Sequence, residues 1–117
     1  MNGEVQRPWG HYEILHREPG VQVKRIEIHP GMRFSLQTHA RRSEYWVVIV
    51  GTGVATVGQK EIPVQKGSFV EIKTGEKHRL QNTGPGPLAI VEVQMGEYLG
   101  EDDIVRLQDD YGRCDAQ

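Results

Sequence analysis

Only one cysteine, Cys114, stands in the 117 residues, so no disulfide can close within the chain. That excludes the small disulfide-stapled scaffolds and fits a reducing compartment. No apolar run approaches the roughly 18 residues of a membrane-spanning helix. The opening Met1-Asn2-Gly3-Glu4-Val5-Gln6-Arg7-Pro8-Trp9 lacks a basic-then-apolar leader, so the expected address is cytoplasmic with no membrane partner. Excess positive charge is missing too: with a formal net charge of −2 and no basic stretch interleaved with aromatics, nucleic acid is not an expected partner. Any anion must be held by a few placed cations. A sustained helical period is also missing before residue 100. At this length there is room for one domain and one core.

What the chain does have is short alternating or apolar segments separated by turn residues. Strands are expected over 21–28, 33–39, 44–50, 53–57, 68–72, 78–82 and 88–94. Between them lie Pro30-Gly31, Gly51-Thr52-Gly53, Lys66-Gly67, Thr74-Gly75-Glu76 and Gly84-Pro85-Gly86-Pro87. This pattern predicts an all-β fold, a small antiparallel barrel or sandwich. Glu101, Asp102 and Asp103 suit a helix start and Gly112 an end, so a short C-terminal helical turn is expected.

Strand alternation brings polar residues together. Gln37 and His39 share a face, Glu44 shares one with Trp46 and Val48, and His78 begins a later strand. Gln37, His39, Glu44 and His78 would then offer two imidazoles, a carboxylate and an amide oxygen to one divalent first-row ion, with Zn, Mn, Co and Ni all open. An amide oxygen is a neutral and weak donor, which suits Lewis-acid chemistry better than redox iron or copper. His11, His16 and His29 fit no such pattern and are expected at the surface or in turns. Trp46 and Val48 are expected in the core.

With the glycines added, the chain reads Gly31-x5-Gln37-x-His39-x4-Glu44-x6-Gly51 and Gly67-x5-Lys73-x-Gly75-x2-His78-x3-Asn82. This resembles the two motif halves of the cupin superfamily, a small β-barrel of the double-stranded β-helix jelly-roll type that holds one metal. Gln37 replaces the leading histidine of the first motif and Lys73 the usual proline of the second. Further matches are Arg7-Pro8-Trp9-Gly10, Val23-Lys24-Arg25-Ile26, Arg42-x-Glu44-x-Trp46, His78-Arg79-Leu80 and Glu101-Asp102-Asp103-Ile104-Val105-Arg106 with Tyr111-Gly112-Arg113. Together they resemble the type II phosphomannose isomerase domain. Arg41 and Tyr45 stand where that family tends to have histidine. The resemblance implies a single cupin domain over 1–117, with a barrel core about 20–95, an N-terminal arm 1–19 and a tail 96–117. A homodimer is implied as well, and the apolar outward positions Val47 and Ile49 need a second layer over them.

The activity implied is a free-standing, metal-dependent aldose–ketose isomerase that interconverts mannose 6-phosphate and fructose 6-phosphate through an enediolate. The alternative is a metal-dependent sugar-binding or regulatory cupin without turnover. In the family the domain often follows a guanylyltransferase half, but no glycine-rich nucleotide-binding start occurs here, so guanylyl transfer is not expected. Arg42, Arg79, Arg106, Arg113 and Lys24 are the candidate clamps for a phosphorylated hexose, since a clamp should be arginine or lysine and guanidinium forks match phosphate oxygens. Two groups are candidates for proton transfer. Glu92 shares a strand face with Ile90 and Gln94, where burial would raise a carboxyl, and Lys24 lies beside Ile26 and Ile28, where burial would favour the neutral amine.

Overall fold

The computed structural model describes residues 3–113, and Cys114 lies outside them. The strands are β1 (Glu4–Arg7), β2 (Gly10–Glu18), β3 (Val21–Ile28), β4 (Leu36–Thr38), β5 (Arg42–Val50), β6 (Thr52–Val57), β7 (Lys60–Gln65), β8 (Phe69–Ile72), β9 (His78–Asn82), β10 (Leu88–Gly96) and β11 (Val105–Gln108). They form two antiparallel sheets, ordered β1-β2-β3-β10-β5-β8 and β11-β4-β9-β6-β7. The two sheets enclose one core, as an all-β barrel should.

Four strands escape the sequence pattern, each for a local reason. β7 is an exposed edge strand that carries Pro63, which has no N–H to give to a ladder. β1 and β2 continue the first sheet from β3, so residues 4–18 are part of the barrel wall, not an arm outside it. β2 hides its inward period because the register shifts between Ile14 and His16. The expected C-terminal helical turn is not found among the described residues. Instead β11 pairs with β4, and Asp103 turns its carboxylate to the Ala40 and Arg41 N–H groups (2.9 and 3.0 Å) rather than to the first turn of a helix.

Register divides the barrel interior into two levels. Ile90 lies opposite Ile26 and Val48, Glu92 opposite Lys24 and Trp46, and Gln94 opposite Gln22 and Glu44. β3 and β10 thus change from apolar to polar at the same height, and β5 follows one step later, at Glu44. Below the change, Trp9, Phe34 and Trp46 pack edge to face with centroids 5.6 and 5.9 Å apart, over Ile28, Leu80, Leu88 and Ile90. Above it lies a cavity. On the outside, Val47 remains 41% exposed beside Phe69, whose ring stacks on Tyr45, so the second sheet does not supply the expected cover.

Candidate metal centre

His39 follows β4, Glu44 faces inward from β5 and His78 opens β9. One ligand atom from each lies within 4.8 Å of the others, and all three side chains are buried. Backbone carbonyls fix both rings. His39 Nδ1 is 2.7 Å from the Asp103 carbonyl and His78 Nδ1 is 2.9 Å from the Glu76 carbonyl, so each Nδ1 carries the proton and donates it. Each Nε2 therefore presents a lone pair to Glu44, at 3.0 Å for His39 and 3.6 Å for His78. Lone pairs facing a carboxylate repel unless positive charge lies among them. Arg42 supplies some, donating from Nη2 to His39 Nε2 at 3.1 Å and from Nε to Glu44 at 3.0 Å. His78 Nε2, wholly buried, has no hydrogen-bond partner. A divalent cation would satisfy it, and two neutral imidazoles with one carboxylate are a fitting donor set.

Electrostatics assign the charge states. Burial alone would push the Glu44 carboxyl up, but His78 and His39 pull it well below the usual range, so it is ionised. Burial lowers His78, which favours its neutral, ligating form. Glu92 is the opposite case. Burial first, then the charge of Glu44 and a hydrogen bond with it, push the carboxyl up to about 8. The Trp46 indole N–H bridges the two, 3.1 Å from Glu44 Oε1 and 3.1 Å from Glu92 Oε2. Trp46, expected only as core, thus has a polar duty as well. Behind Glu92 runs a buried amide chain: Arg17 donates to Gln22 (2.6 Å), Gln22 to Gln94 (2.9 Å) and Gln94 to Glu92 (2.6 Å). Alternation places Gln22 and Gln94 inside in the sequence, but their partnership depends on strand register.

The remaining expected site residues divide. Gln37 lines the cavity, its amide oxygen accepting the Ser35 hydroxyl at 3.1 Å. Arg106 and Arg113 line it too, and Arg113 is forked onto Asp109. Arg79 does not line it: its guanidinium donates to the carbonyls of Phe34 and Gln108 and to the Gln108 amide, which corrects its assignment as a clamp. Arg42 serves Glu44 and His39 first, with only Nη1 left unpartnered. Lys24 is corrected as a base, because its ammonium forms an ion pair with Glu101 at 2.5 Å and an ion-paired ammonium has no lone pair to offer. Asn82 braces the Gly84–Gly86 turn rather than the cavity. Arg7 and Glu101 also line the cavity and were not among the expected site residues.

A family model described as mannose-6-phosphate isomerase C-terminal matches residues 1–109. The chain belongs to that family. Among its curated relatives, a mannose-1-phosphate guanylyltransferase of Klebsiella pneumoniae is 44% identical over 111 residues, which are 95% of this chain and 24% of that protein. The alginate biosynthesis protein AlgA of Pseudomonas aeruginosa is 47% identical over 110 residues, 94% of this chain and 23% of that protein. The chain therefore spans about a quarter of the length of these relatives. Among solved structures, the capsular polysaccharide assembling protein CapF of Staphylococcus aureus superposes with a TM-score of 0.82 at 20% identity, over 92% of this chain and 32% of that one. A Klebsiella pneumoniae protein with a double-stranded β-helix domain gives 0.75 at 20% identity and covers 87% of both chains. The fold of this family member is thus a cupin. The relatives also overturn one expectation. They are named for guanylyl transfer and polysaccharide biosynthesis, and this chain matches only a quarter of each, so a free-standing enzyme that interconverts mannose 6-phosphate and fructose 6-phosphate is not supported.

Proposed function

We propose that the barrel binds a phosphorylated hexose at a single divalent ion and supplies the acid–base part of a sugar-phosphate enzyme. The observation that carries this reading is the wholly buried His78 Nε2, unpartnered and 3.6 Å from an ionised carboxylate that also faces His39. His39, Glu44 and His78 would hold the ion, with the Gln37 amide lining the same cavity. A bound divalent ion supplies Lewis-acid stabilisation of negative charge on sugar oxygens.

The chain's own residues do the rest. Glu92 is protonated near neutral pH and is held by the Gln94 amide and the Trp46 indole, so it can give a proton to, or take one from, a ligand in the cavity. Arg7, Arg106 and Arg113 provide positive charge at the cavity wall, which suits a phosphate. The names of the relatives support a mannose phosphate as the hexose.

Titration calorimetry of the zinc-loaded chain with mannose 1-phosphate and mannose 6-phosphate tests this. At least one should bind with micromolar to millimolar affinity, and chelation or His78→Ala should remove the binding. Equal heats with and without the ion, or none with either sugar, would overturn the reading.

A further inference from the structure

The cavity is partly open to solvent and small for the ligand its walls suit. It measures about 90 Å³, whereas ligand sites usually run to roughly 300–1,000 Å³. Glu101, in the segment after β10, takes up part of that space. Residues 97–102 form the turn between Gly96, whose N–H donates to the Gly20 carbonyl, and Asp103, whose carboxylate grips Ala40 and Arg41. Contacts within that span include the Asp103 N–H to the Gly100 carbonyl, the Tyr98 hydroxyl to Asp102, the Arg41 guanidinium over the Tyr98 ring with a long pair to Glu97, and Glu101 to Lys24.

The Glu101–Lys24 pair is lopsided. The Lys24 side chain is 4% exposed and that of Glu101 51%, so the carboxylate reaches in from solvent to a cation fixed on the barrel wall. Lys24 Nζ also lies 4.1 Å from the centre of the Tyr12 ring, and Arg7 donates to the Tyr12 hydroxyl. Burial pushes the Glu101 carboxyl up, but Lys24, Arg42 and Arg7 pull it below its ordinary value, which marks the place it occupies as one that favours an anion.

We propose that Lys24, with Arg7 beside it, is the seat for the ligand's anionic group, and that the Glu101 carboxylate fills this seat until the ligand displaces it. The inference rests on the reading of the cavity as a site for a phosphorylated hexose. An incoming phosphate takes over the ammonium, the 97–102 turn swings out, and the cavity gains the volume that the sugar needs. Glu101 thereby also excludes neutral sugars, which cannot compete for Lys24.

Inorganic phosphate is the probe, titrated into the full chain after chelation so that it cannot bind through a metal. Glu101→Gln keeps the size of the side chain and removes its charge. It should bind phosphate about tenfold more tightly than the wild type, since the anion no longer competes with a resident carboxylate. Lys24→Met should lose the binding in either background. The thermal midpoint read in the same titrations guards against misfolding: phosphate should raise it more for Glu101→Gln than for the wild type. Equal phosphate affinity in wild type and Glu101→Gln, or binding that survives Lys24→Met, overturns the inference while zinc-dependent hexose phosphate binding still stands. If no hexose phosphate binds the zinc-loaded protein, the underlying reading falls and this inference falls with it.

Discussion

Glu44→Ala is expected to cost about 3–5 kcal/mol of folding free energy and to abolish metal retention, because it removes one partner of a buried charge network. Glu44 is 1% exposed and accepts from Arg42 and from the Trp46 indole, while both histidine lone pairs face it. Removing it leaves the Arg42 guanidinium, itself 6% exposed, without its carboxylate. Glu44→Gln separates the two effects. The amide keeps the volume and one acceptor, so the variant should fold with a smaller loss, yet bind zinc at least about 100-fold more weakly for want of the negative charge. Denaturant unfolding and chelator competition read the two quantities. A Glu44→Gln variant that holds zinc as tightly as the wild type would remove Glu44 from the centre.

The second large effect concerns pH. Glu92 has a folded-state pKa of about 8 against an ordinary 4.5. The folded protein therefore holds a proton that the unfolded chain releases as pH rises above 4.5. The sign follows: the stabilisation from this proton is complete below pH 4.5 and is lost as pH climbs to about 8. The loss reaches at most about 5 kcal/mol, at 1.36 kcal/mol for each unit of pKa. His78, lowered by burial, works the other way, losing stability as pH falls through the ordinary imidazole range. The comparison must therefore be made with Glu92→Gln, which resembles the protonated carboxyl and leaves His78 unchanged. In metal-free protein the wild type should lose more stability than Glu92→Gln between pH 5 and 8. Parallel stability curves would show that Glu92 does not carry this proton.

Much of this centre is legible in the sequence because strand alternation is a strict code. The x-spacings place Glu44 and His78 on inward faces, and the structure adds that Gln37 and His78 stand opposite each other across β4 and β9. Glu92 is legible for the same reason, as an inward carboxyl two places from the buried Ile90 on the same strand face. What alternation cannot encode is the partner across a gap. Arg79 is a neighbour of His78, yet the pleat sends it to the opposite face, where it holds the tail at Gln108. Arg42 is on the inward face, but only the distances reveal that its charge goes to Glu44 and His39.

The C-terminal stretch shows the other limit of the sequence. Glu101-Asp102-Asp103 has the local chemistry of a helix start, but two of its acids, Glu101 and Asp103, meet partners far away in the chain. Glu101 finds Lys24, and Asp103 finds the backbone after His39 while its carbonyl orients the His39 ring. Long-range satisfaction of those groups outweighs local propensity, and β4 captures Val105–Gln108 as a strand. Arg7 stays hidden for a similar reason, since β1 reaches the cavity only through its pairing with β2.

X-ray absorption at the zinc edge, on protein carrying one zinc per chain, reads the donor atoms of the centre itself. The fine structure should be that of two imidazoles with oxygen donors, with one imidazole lost in His39→Ala and in His78→Ala. An oxygen-only shell, or one that neither substitution changes, would contradict a centre built from His39, Glu44 and His78.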